Sequence, residues 1–315
     1  MKSFFSILFG GLFILLVTIG LFSLGTIVWK NMAYQVNPSV IANALASDSN
    51  DSYYISPTTT RYSAGEEEDV INSAALSLPK NGVEHVGAKA YLVKDMTTGS
   101  VIVNTNTDQL LPIASLTKLV TAVVARKLIS DSAHITITKS VMATYGNTAE
   151  FTAGETFSAG NLIYPLLMVS SNDAAEAYAE YYGRAKFIQA MNDFTQSIGA
   201  YRTYFSDSSG LDPRDVSTAN DLAIIIDWIR KNDPTIIDIT ELKAYTIRSH
   251  TWVNPTHFLS WSYYIGGKNG YLPEADRTNV SLFKWGSKGD VYAIVVLGSS
   301  NRDADTIALL KKIKP

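Results

Sequence analysis

Within LPIASLTKLVTAVVA, residues 111–125, a hydroxyl and an amine stand three positions apart, at Ser115 and Lys118. On a helix, positions i and i+3 share a face, so this spacing can bring an amine nitrogen to a hydroxyl oxygen. The neighbours are Leu, Val and Ala, and a lysine among them must snorkel to water or give up its charge. A lysine without its proton is a base, and the hydroxyl beside it is then a nucleophile in waiting. Ser115 also stands where a helix N-cap would, just after Pro112, which is the structural job that competes with chemistry.

The string alone is cheap, since Ser-x-x-Lys recurs at Ser77–Lys80 and Ser281–Lys284. Pro79 interrupts the first of these, and the second lies in an alternating, strand-like stretch where i and i+3 face opposite ways. In MVSSNDAAEAYAEYYG, residues 168–183, Ser170-x-Asn172 sets a second hydroxyl and a carboxamide at a turn. The same residue types make ordinary N-caps, and Ser299–Asn301 repeats the spacing. In IGGKNGYLPEAD, Lys268 follows paired glycines on an expected strand, where missing side chains would let a substrate backbone come close. The competing reading there is a β-turn with a solvated lysine.

Elements must hold these groups together. AKAYLV and SVIVNT read as a hairpin turning near Thr97–Gly99, and the Ser115 helix follows. Helical periodicity marks 160–168, 172–183, 185–199, 217–232 and 303–313. WSYYIGG, YLPEADRTNVSLFKWGSKGD and VYAIVVLGS read as strands, the last apolar enough for the centre of a sheet. Strands at both ends with helices between imply an α+β fold: an antiparallel sheet flanked by helices, plus a helical cluster. From Ser3 to Trp29 no residue is charged, long enough to span a ~30 Å hydrocarbon core. The expected layout is therefore an N-terminal transmembrane signal-anchor over 1–30, membrane-embedded through 4–29, a polar stalk over 31–84, and a catalytic domain over 85–315. EEED at 66–69 reads as the acidic first turn of a short helix, INSAALSL, or as solvated charge.

A net charge of −3 leaves no basic footprint for nucleic acid, and the absence of cysteine removes thiolate catalysis and disulfides. His85, His134, His250 and His257 are scattered and no H-E-x-x-H occurs, so neither a metal nor another cofactor is expected.

Taken in order, Ser115-x-x-Lys118, Ser170-x-Asn172 and Lys268-x-Gly270 make the constellation of penicillin-recognising serine enzymes. LPIASLTKLVTAVVA, VSSNDAAEAYAE, FSDSSGLDP, STANDLAIIIDWI, GGKNGYLPEADR and YAIVVLGSSNRDADT resemble, in order, segments of the serine D-alanyl-D-alanine carboxypeptidases. These are the low-molecular-mass penicillin-binding proteins, and the resemblance spans roughly 85–313. It implies a penicillin-binding/β-lactamase-like fold on the extracytoplasmic side of a cell membrane. It implies Ser115 as nucleophile, Lys118 as base, Ser170 as proton relay and Asn172 as holder of Lys118 and the substrate amide. The backbone N–H groups of Ser115 and Tyr271 would form an oxyanion hole, while Lys268, Asn269, Gly270 and Arg302 would receive the substrate and its carboxylate. The substrate implied is a peptidoglycan stem peptide ending in D-Ala-D-Ala, with β-lactams as inhibitors.

Two departures stand out. Asn269 occupies the position where the family usually has threonine, and the expectation is retained activity with altered affinity. With the sequence ending in KKIKP, the family's further β-domain and C-terminal amphipathic helix are expected to be absent and the N-terminal anchor to take their place. The alternatives are a non-catalytic peptidoglycan-binding protein, which Asn269 alone suggests, and a β-lactamase, which would need a glutamate such as Glu150 or Glu155 to hold a water. Transpeptidation differs only in the acceptor.

Overall fold

The computed structural model describes residues 85–285 and 289–313. The expected membrane helix over 1–30, the stalk over 31–84 with its short helix, and the string Ser77–Lys80 lie outside the described residues. Among the described residues no helix is long and apolar enough to cross a membrane.

β1 (Ala90–Asp95) and β2 (Val101–Thr105) form the expected hairpin. Asp95 Oδ1 closes its turn by accepting the Thr97 and Thr98 N–H groups at 2.8 and 3.1 Å. β3 (Leu111–Pro112) leads through a 3-10 turn, Ala114–Leu116, into α1 (Thr117–Leu128). β4 (His134–Thr136) pairs with β5 (Thr156–Ser158), and α2 (Ala159–Met168), α3 (Asn172–Tyr182) and α4 (Arg184–Ser197) follow. β6 (Val216–Ser217) pairs back with β3 and precedes α5 (Ala219–Asn232) and α6 (Thr235–Glu241). A hairpin, β7 (Ala244–Ile247) and β8 (His250–Val253), comes before β9 (Tyr264–Leu272), β10 (Asp276–Trp285), β11 (Asp290–Ser299) and α7 (Arg302–Leu310).

The main sheet runs β2-β1-β11-β10-β9, antiparallel throughout, so both ends of the described domain contribute strands. The apolar β11 takes the centre, as its composition requires. β9 lies at an edge and faces the 3-10 turn that carries Ser115. The architecture is the expected α+β fold. Thr117 to Ala125 are all buried, so the first part of α1 is enclosed around its whole circumference and sits in the middle of the domain against α2, α4 and α5.

One expectation needs correction, and two elements were not foreseen. The helix begins at Thr117, not Ser115, and Ser115 caps nothing. The chain leaves β3 and turns at Ala114, whose φ of +49° breaks regular helix before Ser115. The helix α6 and the β7–β8 hairpin carried no recognised signal. That hairpin turns on Arg248 at φ +54°, where hairpin turns usually advertise themselves with Asn-Gly or Gly.

Gly210 fixes this corner. At its φ of +81°, a Cβ would lie 2.0 Å from the Ala114 carbonyl oxygen. Gly210→Ala is expected to destabilise the fold by about 2–4 kcal/mol, combining a left-handed backbone with a backbone clash. Urea unfolding checks this, and a midpoint equal to wild type would refute it.

Candidate active site

Lys118 is fully buried, and its Nζ stands at the convergence of three oxygens. Ser115 Oγ lies at 3.0 Å, Asn172 Oδ1 at 2.7 Å and the Ser209 carbonyl at 2.6 Å. One turn of chain sets the first distance, because Ser115 sits in the 3-10 turn Ala114–Leu116 that flows directly into α1. Asn172 opens α3 and is held at its other end, its Nδ2 donating to the Tyr145 carbonyl at 2.8 Å. The capping job in Ser-Ser-Asn falls to Ser171, whose Oγ accepts the Ala174 N–H at 3.1 Å. That leaves Ser170 and Asn172 available to the cleft. Ser170 has a φ of +57°, a conformation that costs a non-glycine residue about 1–3 kcal/mol and that clusters at functional sites.

Lys268, on β9, donates from Nζ to Ser170 Oγ at 2.9 Å and to the Asn269 carbonyl at 2.8 Å. Lys118 thus engages Ser115, and Lys268 reaches from β9 to Ser170. Gly270 is the position where β9 touches the Ser115 turn: a Cβ there would stand 2.7 Å from the Ser115 backbone nitrogen and 2.8 Å from Thr278 Oγ1. Thr278 in turn donates to the Ile113 carbonyl at 3.0 Å, pinning the turn to the sheet. The paired glycines do something other than admit a substrate. A Cβ at Gly266 would meet Thr240 and Ile237 of α6, and one at Gly267 would meet the Val280 carbonyl at 2.2 Å. They let β9 pack closely on α6 and β10.

Electrostatics in this cleft favour a neutral amine. Burial lowers the Lys118 pKa to about 7, against the pull of Asp207, Asp215 and Asp173. Burial depresses Lys268 well below the ordinary lysine range, and the nearby Lys118 and Arg302 charges lower it further. Burial also raises Asp215 to about 7, where its neighbour Asp207 adds repulsion.

The remaining expected residues fall around the same cleft. Tyr271, 53% exposed, follows Gly270 on β9, with the Arg277 guanidinium 5.3 Å from its ring centre. Arg302 opens α7, its Nε 3.6 Å from Asp303 Oδ1, and its charge reaches Lys268. Asn269 is half-buried between Lys268 and Gly270.

The look-alike strings serve structure. Ser281 is buried in β10 while Lys284 points outward. Ser299 Oγ bonds Asp305 Oδ2 at 2.6 Å, and Asn301 caps α7. Glu155 accepts the Thr152 N–H at 2.6 Å and pairs with His250 at 2.9 Å, and Glu150 is exposed; neither bonds Ser115 or Lys118. His257 pairs with Asp303 at 2.8 Å, and no group of metal-ligating side chains occurs among the described residues.

Sequence reasoning missed the floor of the site. Asp207 accepts the N–H groups of Ser209, Gly210 and Asp212 at 2.5, 2.6 and 2.7 Å, folding the loop that aims the Ser209 carbonyl at Lys118. Asp215 ties that loop to α1 by accepting from Thr117 Oγ1 at 2.9 Å and from the Ser206 N–H at 2.7 Å. The signal was FSDSSGLDP, a polar, glycine-containing turn whose tight folding needs such a carboxylate.

Residues 77–301 match the profile of peptidase family S11, described as D-alanyl-D-alanine carboxypeptidase. A D-alanyl-D-alanine endopeptidase of Pseudomonas aeruginosa is 32% identical over 74% of this chain and 74% of its own length. The D-alanyl-D-alanine carboxypeptidase DacC of Escherichia coli is 31% identical over 68% of this chain and 57% of its own length. The crystal structure of a D-alanyl-D-alanine carboxypeptidase from Mycobacterium tuberculosis superimposes with a TM-score of 0.67 at 26% identity, covering 76% of this chain and 94% of that one. The Streptomyces K15 DD-transpeptidase gives 0.66 at 28% identity, covering 73% and 96%.

Proposed function

The chain belongs to the D-alanyl-D-alanine carboxypeptidase family of serine peptidases, and we propose that it removes the terminal D-alanine from peptidoglycan stem peptides through an acyl-enzyme on Ser115. The observation that carries this reading is the setting of Lys118. A neutral lysine has two N–H bonds and one lone pair. Asn172 Oδ1 and the Ser209 carbonyl take the two N–H bonds, and the lone pair is left facing Ser115 Oγ at 3.0 Å.

The steps follow from that geometry. Ser115 Oγ attacks the carbonyl carbon of the penultimate D-alanine as its proton passes to Lys118. The Ser115 and Tyr271 N–H groups hold the oxyanion, a contribution of about 3–4 kcal/mol per donor. Ser170, whose oxygen already accepts from Lys268, relays the proton: it gives its own to the departing amine as the C–N bond breaks and regains one from the Lys118 ammonium, so the Ser115 hydrogen ends on D-alanine. Lys268, Asn269 and Arg302 receive the substrate carboxylate, the arginine with its planar fork. Water then releases the acyl group. A β-lactam carries an acylating carbonyl and a carboxylate in the same relation and stays bound to Ser115. The uncharged run from Ser3 to Trp29 supports an N-terminal membrane anchor with the enzyme on the extracytoplasmic side.

The detergent-solubilised full chain, given a peptide ending in D-Ala-D-Ala, is expected to release free D-alanine. Prior treatment with benzylpenicillin is expected to stop the release and add one penicilloyl mass per chain. Substrate binding without either event would instead favour the non-catalytic reading. Asn269→Thr is expected to change KM or the penicillin acylation efficiency by about three- to tenfold, the worth of one hydrogen bond, with kcat nearly kept. Unchanged values for both would remove Asn269 from the carboxylate subsite.

A further inference from the structure

Asp173 has no structural job of the usual kind. It is the second residue of α3, immediately after Asn172, and is fully buried, yet neither carboxylate oxygen has a hydrogen-bond partner. Ser171 performs the capping at that helix end. A buried carboxylate without donors is costly, so its presence asks for a charge that it serves. Lys118 is that charge: burial raises the Asp173 pKa to about 6, and Lys118 alone pulls it back. The groups that bear electrostatically on Lys118 are, among the acids and strongest first, Asp207 and Asp215 from the loop beneath it and Asp173 from α3, with Lys268 across the cleft on β9. Asp207 and Asp215 each accept several hydrogen bonds that fold their own loop. Asp173 contributes charge and nothing else.

We propose that Asp173 is a positioning residue for the catalytic proton, a buried counter-charge that strengthens Lys118 as a base by stabilising the ammonium formed when Ser115 gives up its hydrogen. The inference rests on the reading of Lys118 as that base. Its place in the first turn of α3 favours the ionised carboxylate that this role needs. The signs follow directly. Without the anion the ammonium is less favoured, so Lys118 loses its proton at lower pH. The base is then neutral sooner but weaker, so acylation begins at lower pH and reaches a lower plateau. A residue that merely shaped the fold would lower the plateau without moving the limb.

The test titrates each partner with the other's charge removed, in the full chain. With 13C-labelled lysine, Asp173→Asn is expected to move the Lys118 titration down by about one pH unit, the lower end of the effect of a nearby opposite charge. With 13C-labelled aspartate, Lys118→Met is expected to move Asp173 up by the same amount, as linkage requires. The second measurement decides the matter if the Asp173→Asn chain does not fold. The penicillin acylation profile of Asp173→Asn is expected to show its acid limb shifted down by the same unit. Unmoved titrations in either partner overturn the inference. Failure of wild type to form any adduct overturns the functional reading instead, and leaves the titrations to decide the charge coupling.

Discussion

Ser115→Ala is expected to lose D-alanine release and penicillin adduct formation by at least about 10⁴-fold, the scale on which removing a nucleophile acts when its partners work as a unit. The remaining cleft keeps its substrate contacts, since Lys268, Asn269 and Arg302 do not depend on the hydroxyl. Substrate should therefore still bind with an affinity near the wild-type KM. Replacing Oγ removes one of the three oxygens around Lys118 Nζ and leaves Asn172 Oδ1 and the Ser209 carbonyl in place. The variant should fold normally. Stoppage of both reactions with binding intact, followed by D-alanine detection, intact mass and calorimetry, is the expected pattern. Residual turnover at a tenth of wild type would place the acyl group elsewhere.

Lys118→Met is expected to cost about 10²–10⁴-fold in acylation, the range of a positioned general base. The pH profile carries the sharper information. Burial sets Lys118 at about 7, below the ordinary range for a lysine. Only the neutral amine can accept the Ser115 proton, so acylation efficiency should rise with pH through about 7 and then level off. A catalytic ammonium would give the opposite slope. Methionine has no titrating group, so the variant's small remaining rate should lose this limb. Stopped-flow acylation from pH 5 to 9 measures it, and a limb that persists in Lys118→Met would assign the titration to another group, with Asp173 and Asp215 the first to examine.

Much of this was legible in the chain. Periodicity located the first hairpin, the helices at 159–168, 172–182, 184–197 and 219–232, and the last three strands within a few residues. The apolar run of β11 announced a central strand because only a strand covered on both faces can be so uniformly apolar. The β7–β8 hairpin was illegible because its turn rests on Arg248, a residue with no special liking for that conformation. α6 is short, and its apolar residues could equally have lined a strand. At the site, Ser115 and Lys118 were legible because a single turn of chain sets their distance.

Residue types and local spacing thus determined the α+β pattern and the pairing of Ser115 with Lys118. They could not separate Ser170-x-Asn172 from Ser299-x-Asn301, although one meets two lysines and the other caps a helix. Tertiary structure decided that, and it also decided which glycine faces the nucleophile and which acids lie beneath the base. The physical reason is range. Helical spacing fixes groups within a turn, whereas Lys118 meets Asn172 54 residues away and Ser209 91 residues away. Burial, which makes a lysine into a base, belongs to no segment and arises only when α1 is enclosed by the rest of the domain.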